Sequence, residues 1–156
     1  MHILQRRKKQ GFTLSELMAV VVILAILAAL GLGSYRSIME KTIFNEGLGI
    51  AHAVAAAADE YYYEYNKKPT NLSKLVLDMK GITVSGNNIT AKHFTGKFIP
   101  SSSVQITSKD YPYRLQVFME YYGQRPDLCT GLNEEGKEFC QSLGYITCSG
   151  FMCTKQ

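Results

Sequence analysis

Charge is missing from one long stretch of this 156-residue chain. No Asp, Glu, Lys or Arg occurs from Leu17 to Tyr35, a run of Val, Ile, Leu and Ala interrupted only by small or weakly polar residues. Catalytic signatures are scarce as well. There are only three histidines: His2 near the start, His52 in a helical stretch and His93 alone in a candidate strand. None has the Ser–His–Asp or Cys–His spacing that nucleophilic catalysis uses. The D-x-[DN]-x-[DN]-G calcium loop is absent, as is any C-x-x-C pair. These absences point to a non-enzymatic protein with no cofactor and no bound metal. Glu134, Glu135 and Glu138 read as the solvated face of a short helix. Neither an internal repeat nor a low-complexity segment appears.

A net positive charge is missing from most of the chain too. The sequence carries 17 Lys+Arg against 13 Asp+Glu, but four of the bases (Arg6, Arg7, Lys8, Lys9) fall in the first eleven positions, where there is no acid. The remainder balances to zero, which gives no support for nucleic-acid binding. A basic segment ahead of an apolar run is an orientation signal that keeps the start of the chain on the cytoplasmic side. The charge-free run would rise through roughly 28 Å as a helix, close to the thickness of a bilayer core. Three readings are open for it: a cleaved secretory signal with Ala28-Ala29 at a small-residue site, a plain anchor, or an anchor that later becomes an assembly surface.

At the threshold of the run stands Glu16, a carboxylate that is costly there unless compensated. Thr13 and Glu16 have the S/T-x-x-E spacing of a capping box, which satisfies the first amides of a helix. The box sits inside a larger pattern: Lys-Lys-Gln-Gly, then Phe-Thr-Leu-Ser-Glu, then the apolar run. From Lys8 to Leu30 the chain resembles the prepilin signature of type IV pilins and of the pseudopilins of type II secretion, through Gly11, Phe12, Thr13, Leu14 and Glu16.

That resemblance implies a route. A prepilin peptidase in the membrane cuts between Gly11 and Phe12 and methylates the new amine of Phe12; Gly11 has no side chain to obstruct it. The basic leader is lost and the apolar segment is kept. The resemblance also implies a partner for Glu16, the Phe12 ammonium of a neighbouring subunit in a filament. A buried carboxylate and a buried ammonium are each costly alone and tolerable together. Cap and interchain partner are compatible roles, and the sequence does not apportion them. Two departures stand out. Ser15 replaces the family's usual aliphatic residue, and Gly33, with Gly31 before it, stands where many relatives have proline. The pair permits either a flexible point in the helix or close helix packing.

Helical periodicity continues past the run. Ile43, Gly47, Ile50, Val54, Ala58, Tyr61 and Tyr65 share a narrow face, with Glu46, His52, Ala56, Asp59 and Tyr63 on the opposite arc. The pattern lasts until Asn66 and Pro69, which predicts one helix from about Thr13 to Tyr65. In the Tyr61–Tyr65 cluster, Tyr61, Tyr62 and Tyr65 read as core and Tyr63 as a candidate subunit contact. Further on come a short helical pattern at Leu72–Leu77, a hairpin around Ser85-Gly86-Asn87-Asn88, strands at Val104–Thr107 and Tyr113–Tyr121, and a helix at Asn133–Leu143.

Cys129, Cys140, Cys148 and Cys153 cluster in the last 28 residues. Outside the cytoplasm such a cluster reads as two disulfides, with a zinc site as the alternative. Of the three possible connectivities, Cys129–Cys140 with Cys148–Cys153 is favoured because each closes a short loop. Pilins commonly have one disulfide in this region, so two would be a departure. Some type II secretion pseudopilins instead carry a calcium loop and lack cysteines there.

The expected protein is α+β with the pilin fold: a long N-terminal helical spine, a small antiparallel sheet on its second half and a cysteine-stapled C-terminal region. Its parts are a removable leader (1–11), a transmembrane and assembly segment (12–35) and an extracytoplasmic head (36–156). The expected role is a structural subunit of a type IV pilus-like filament, with a type II secretion pseudopilin as the alternative. Its partners would be prepilin peptidase, further copies of itself or related pilins, and inner-membrane lipid. The chain would move from the inner membrane into an extracellular pilus or a periplasmic pseudopilus.

Overall fold

The computed structural model describes residues 11–100 and 102–155, with backbone alone at 31–34. Two compact units divide the chain, 1–39 and 40–156. One long helix, α1, runs Leu14–Tyr65. It ends where Asn66 takes the left-handed conformation, at φ 49°. Asparagine tolerates that conformation, and it turns the chain out of the helix ahead of Pro69.

In the first unit the described side chains from Gly11 to Leu30 are all exposed. Leu30 is 72% exposed and Val21 60%. Gly31 and Gly33 lie in 31–34, whose side-chain surroundings fall outside the described residues, so the flexibility expected there is not addressed. No single described helix is long and apolar enough to cross a membrane. By length and composition, the stretches Leu14–Leu30 and Tyr35–Tyr65 pass only as a pair.

The second unit holds an eight-stranded antiparallel sheet in the order β1-β2-β3-β4-β5-β6-β8-β7. The strands are β1 (Thr83–Ser85), β2 (Asn88–Thr90), β3 (Phe94–Ile99), β4 (Ser103–Ser108), β5 (Tyr113–Phe118), β6 (Leu128–Gly131), β7 (Thr147–Ser149) and β8 (Met152–Thr154). A second helix, α2 (Glu134–Ser142), joins β6 to β7. Its first turn is capped by Asn133, whose Oδ1 accepts from the Gly136 amide at 2.8 Å. Glu134 and Glu135 in that turn suit the positive end of the helix dipole.

Ile43, Phe44, Ile50, Val54 and Ala58 of α1 share a core with Phe94, Phe98, Val104, Ile106, Leu115 and Val117 of the sheet. The sheet residues alternate along their strands, as a half-buried sheet requires. At Gly47 the fit is close enough to exclude a side chain, since a Cβ there would come within 2.7 Å of the Phe94 ring. A Cβ on Gly136 would overlap the Pro112 carbonyl, so α2 can approach the end of β5 only with glycine at that point.

Some expectations need correction. Asp59, placed on the arc opposite the packing face, is buried and accepts from the Tyr121 amide at 3.2 Å. The buried arc of α1 is wider than one stripe because Phe44, Ala51 and Ala55 are buried too. Tyr65, assigned to the core, is 54% exposed, beyond the reach of the sheet. The pattern at Leu72–Leu77 closes only one 3₁₀ turn, Leu72–Lys74, and then extends. β5 stops at Phe118 and a 3₁₀ turn, Glu120–Tyr122, follows. His93 is not alone, because its Nδ1 pairs with the Asp110 carboxylate.

Candidate processing and assembly site

Gly11 and Phe12 precede α1 without regular structure. Among the described residues nothing lies within 4 Å of a Cβ built on Gly11, and its φ does not call for glycine. The fold therefore places no demand on this glycine. Phe12 is 82% exposed, an open position for a group that an enzyme would have to reach.

Thr13 and Glu16 close the capping box in both directions. The Glu16 amide donates to Thr13 Oγ1 at 3.3 Å, and the Thr13 amide donates to Glu16 Oε2 at 2.8 Å. The Thr13 hydroxyl donates to the same carboxylate oxygen at 2.8 Å. Ser15 joins through its hydroxyl, 3.1 Å from Thr13 Oγ1, and so has a place in the cap. The Leu17 amide donates to the Thr13 carbonyl at 3.3 Å. In the single chain, then, Glu16 is a capping residue, and everything on its C-terminal side up to Leu30 is exposed apolar surface. A contiguous apolar surface of this kind marks a membrane or protein contact.

Near the C-terminus of the chain the four cysteines form two bonds. Cys129 in β6 is joined to Cys140 in α2, with Cα atoms 5.7 Å apart. Cys148 in β7 is joined to Cys153 in β8 at 4.1 Å. The first ties α2 to the sheet and the second closes the terminal hairpin, which is the sheet's edge. Among the described residues no group of three or more His, Cys, Asp or Glu could hold a metal ion.

Sequence reading missed the interactions between α1 and the segment joining β5 to β6. His52 Nε2 lies 2.8 Å from Asp127 Oδ2. The Tyr121 ring packs 4.9 Å from that of Tyr62, and its hydroxyl donates to the Pro100 carbonyl at 2.7 Å. Burial and the nearby Asp59 carboxylate push the Tyr121 phenol up to about 12. Burial, with Asp127 adding to it, does the same for Tyr145, also about 12. Pairings between residues this far apart in the chain leave no local signature in a sequence.

The family profile described as the prokaryotic N-terminal methylation motif matches residues 6–32. The chain thus carries the prepilin-type N-terminal motif, and the relatives it matches are type IV pilins and type II secretion pseudopilins. It is similar to a type IV major pilin protein of Neisseria gonorrhoeae, 38% identical over 40% of this chain and 38% of the relative. It is also similar to a fimbrial protein of Neisseria meningitidis, 30% identical over 62% of this chain and 51% of the relative. Type II secretion system core protein G of Pseudomonas aeruginosa is 47% identical over 37% of this chain and 41% of the relative. In each case the matched part is about half of the relative's length or less. No solved structure matches the chain.

Proposed function

We propose that this protein is a structural, non-enzymatic subunit of a type IV pilus-like filament. It would be inserted in the inner membrane with residues 1–11 as a cytoplasmic leader, 12–35 as the membrane and assembly segment, and 36–156 as the extracytoplasmic head. Prepilin peptidase would cut between Gly11 and Phe12 and methylate the Phe12 amine. The observation that carries this reading is the sequence Gly11-Phe12-Thr13-Leu14-Ser15-Glu16 set directly before an apolar segment that the chain itself leaves uncovered. An ordinary cleaved signal discards its apolar segment; here the cut would keep it and place a new ammonium four residues from Glu16.

The carboxylate then has two states. In the monomer it caps α1 through Thr13. In the filament it would also meet the Phe12 ammonium of a neighbour, and the pair would reward only the register that brings them together. Packing of the exposed Val, Leu and Ile side chains would supply most of the association energy, at about 25 cal/mol per Å² of apolar surface removed from water.

A second reading, a pseudopilin of type II secretion, is favoured by the 47% identity to core protein G. The two cysteine bonds and the absence of a calcium-loop motif in the sequence support the pilus instead. Intact mass of the purified membrane form tests the common part of both readings. The expected mature chain begins at methylated Phe12. A chain beginning after Ala29 would replace this account with an ordinary signal peptide.

A further inference from the structure

A groove of about 620 Å³ runs between the second half of α1 and the segment that joins β5 to β6. Ala55, Ala56 and Val117 give it apolar surface. Around them stand four carboxylates: Asp59 and Glu60 of α1, and Glu120 and Asp127 of the connecting segment. Two basic side chains also line the groove. Arg125 lies over the rings of Phe118 and Tyr122, at 5.6 and 5.0 Å, and His52 pairs with Asp127. Asp59 also accepts the Tyr121 amide, and Tyr121 in turn packs on Tyr62, so this wall of the groove is held in place.

On another flank of α1, beside Ala57, Tyr61 and Glu64, runs the segment that follows the Leu72–Lys74 turn. Its exposure alternates. Leu75, Leu77 and Met79 pack against the core, and Lys74, Val76, Asp78 and Lys80 point outward. Val76 is 95% exposed, the highest value among the exposed large hydrophobic residues. On that outward face Val76 stands between Lys74 and Asp78, with Lys80 beyond; the groove offers apolar surface, carboxylates and the Arg125 guanidinium, a counterpart in kind for each.

We propose that the groove receives the Lys74–Lys80 segment of a second copy of this chain, with Val76 entering the apolar part and the lysines meeting the carboxylates. The proposal rests on the filament reading and gives it a contact between heads. Groove and segment are different surfaces of one chain, so the contact is heterologous. Each copy still offers both a groove and a segment, and such contacts propagate into an open helical array unless the rotation closes a ring. The contact is selective because a like-charge mismatch across it is costly.

Zero-length carbodiimide cross-linking of filaments assembled from mixed isotope-labelled and unlabelled full-length subunits tests it directly. The expected interchain links join Glu120 or Asp127 to Lys74 or Lys80. Val76→Asp should lower filament recovery by about tenfold, as loss of a central apolar anchor does, while the head's melting temperature stays unchanged because Val76 makes no core contact. Charge reversal at Glu120 (Glu120→Lys) should also lower recovery, and combination with Lys80→Glu should restore it. Filaments whose interchain links join only other surfaces, or full assembly of Val76→Asp, would overturn this contact and leave the filament reading standing. A wild-type chain that forms no filaments at all would overturn both.

Discussion

α1 is one helix with two regimes. From Leu14 to Leu30 its described side chains are exposed and uncharged apart from Glu16, so the helix there packs on no other described element of its own chain. From Ile43 to Ala58 the same helix buries a broad face against the sheet, and a glycine is needed at position 47 to bring the Phe94 ring close. The second stretch is stabilised by its own fold. The first must draw its stability from outside, from lipid or from other helices, since helical propensity alone is marginal in water. On the proposed filament reading, a subunit that is self-sufficient at one end and incomplete at the other can be stored as a monomer and still gain by joining a polymer.

Perturbations should therefore divide cleanly between the two regimes. The largest effect on the head should come from removing the Cys129–Cys140 bond with the double substitution Cys129→Ala, Cys140→Ala, because it ties α2 to the sheet. Loss of a native disulfide in a small exported domain costs about 2–5 kcal/mol, readable as a lowered denaturation midpoint of the full chain in detergent. Gly47→Leu comes next. Its added side chain meets Phe94, which is completely buried, and overpacking of this kind costs about 1–3 kcal/mol. A normal midpoint for that variant would mean that helix and sheet are not packed as described.

Raising the pH acts more gently. Tyr121 and Tyr145 hold their protons in the folded head up to about 12, whereas an exposed tyrosine titrates near 10. Their contribution is complete below pH 10 and declines as the pH rises towards 12, because the unfolded chain then releases its protons first. The midpoint of the head should fall between pH 10 and 12, and Tyr121→Phe should shallow that fall. Smallest of all should be Thr13→Ala. It removes a cap worth about 1 kcal/mol to the end of α1, seen as fraying of the first turn by amide exchange, with the head's midpoint unmoved.

Local chemistry explains what was readable from the residues. The capping box, the end of α1 at Asn66 and the hairpin at Gly86-Asn87 each depend on neighbours within four positions, and each is present in the structure. β3, β6, β7 and β8 were not read. β7 and β8 are three-residue strands whose partners are set by the cysteine bond and the sheet edge rather than by a long alternating pattern. Asp59 was misplaced for a related reason: its burial depends on Tyr121, sixty-two residues away. At the N-terminus the motif itself was legible because Gly11, Phe12 and Glu16 are contiguous. The use proposed for Glu16 in a filament would involve a second chain, and a single chain carries only its capping contacts.

The central claim is that Glu16 does more than cap. Co-expression of Glu16→Ala with the wild-type chain, followed by isolation of sheared filaments and quantification of the two subunits by mass, tests it most directly. The account predicts that the variant is cleaved after Gly11, keeps the head's normal stability and is nearly absent from filaments. Breaking a buried ion pair by removing one partner costs about 3–5 kcal/mol, several times the cost of losing a cap. Incorporation of Glu16→Ala in proportion to its abundance would contradict the claim and leave the carboxylate as a helix cap alone.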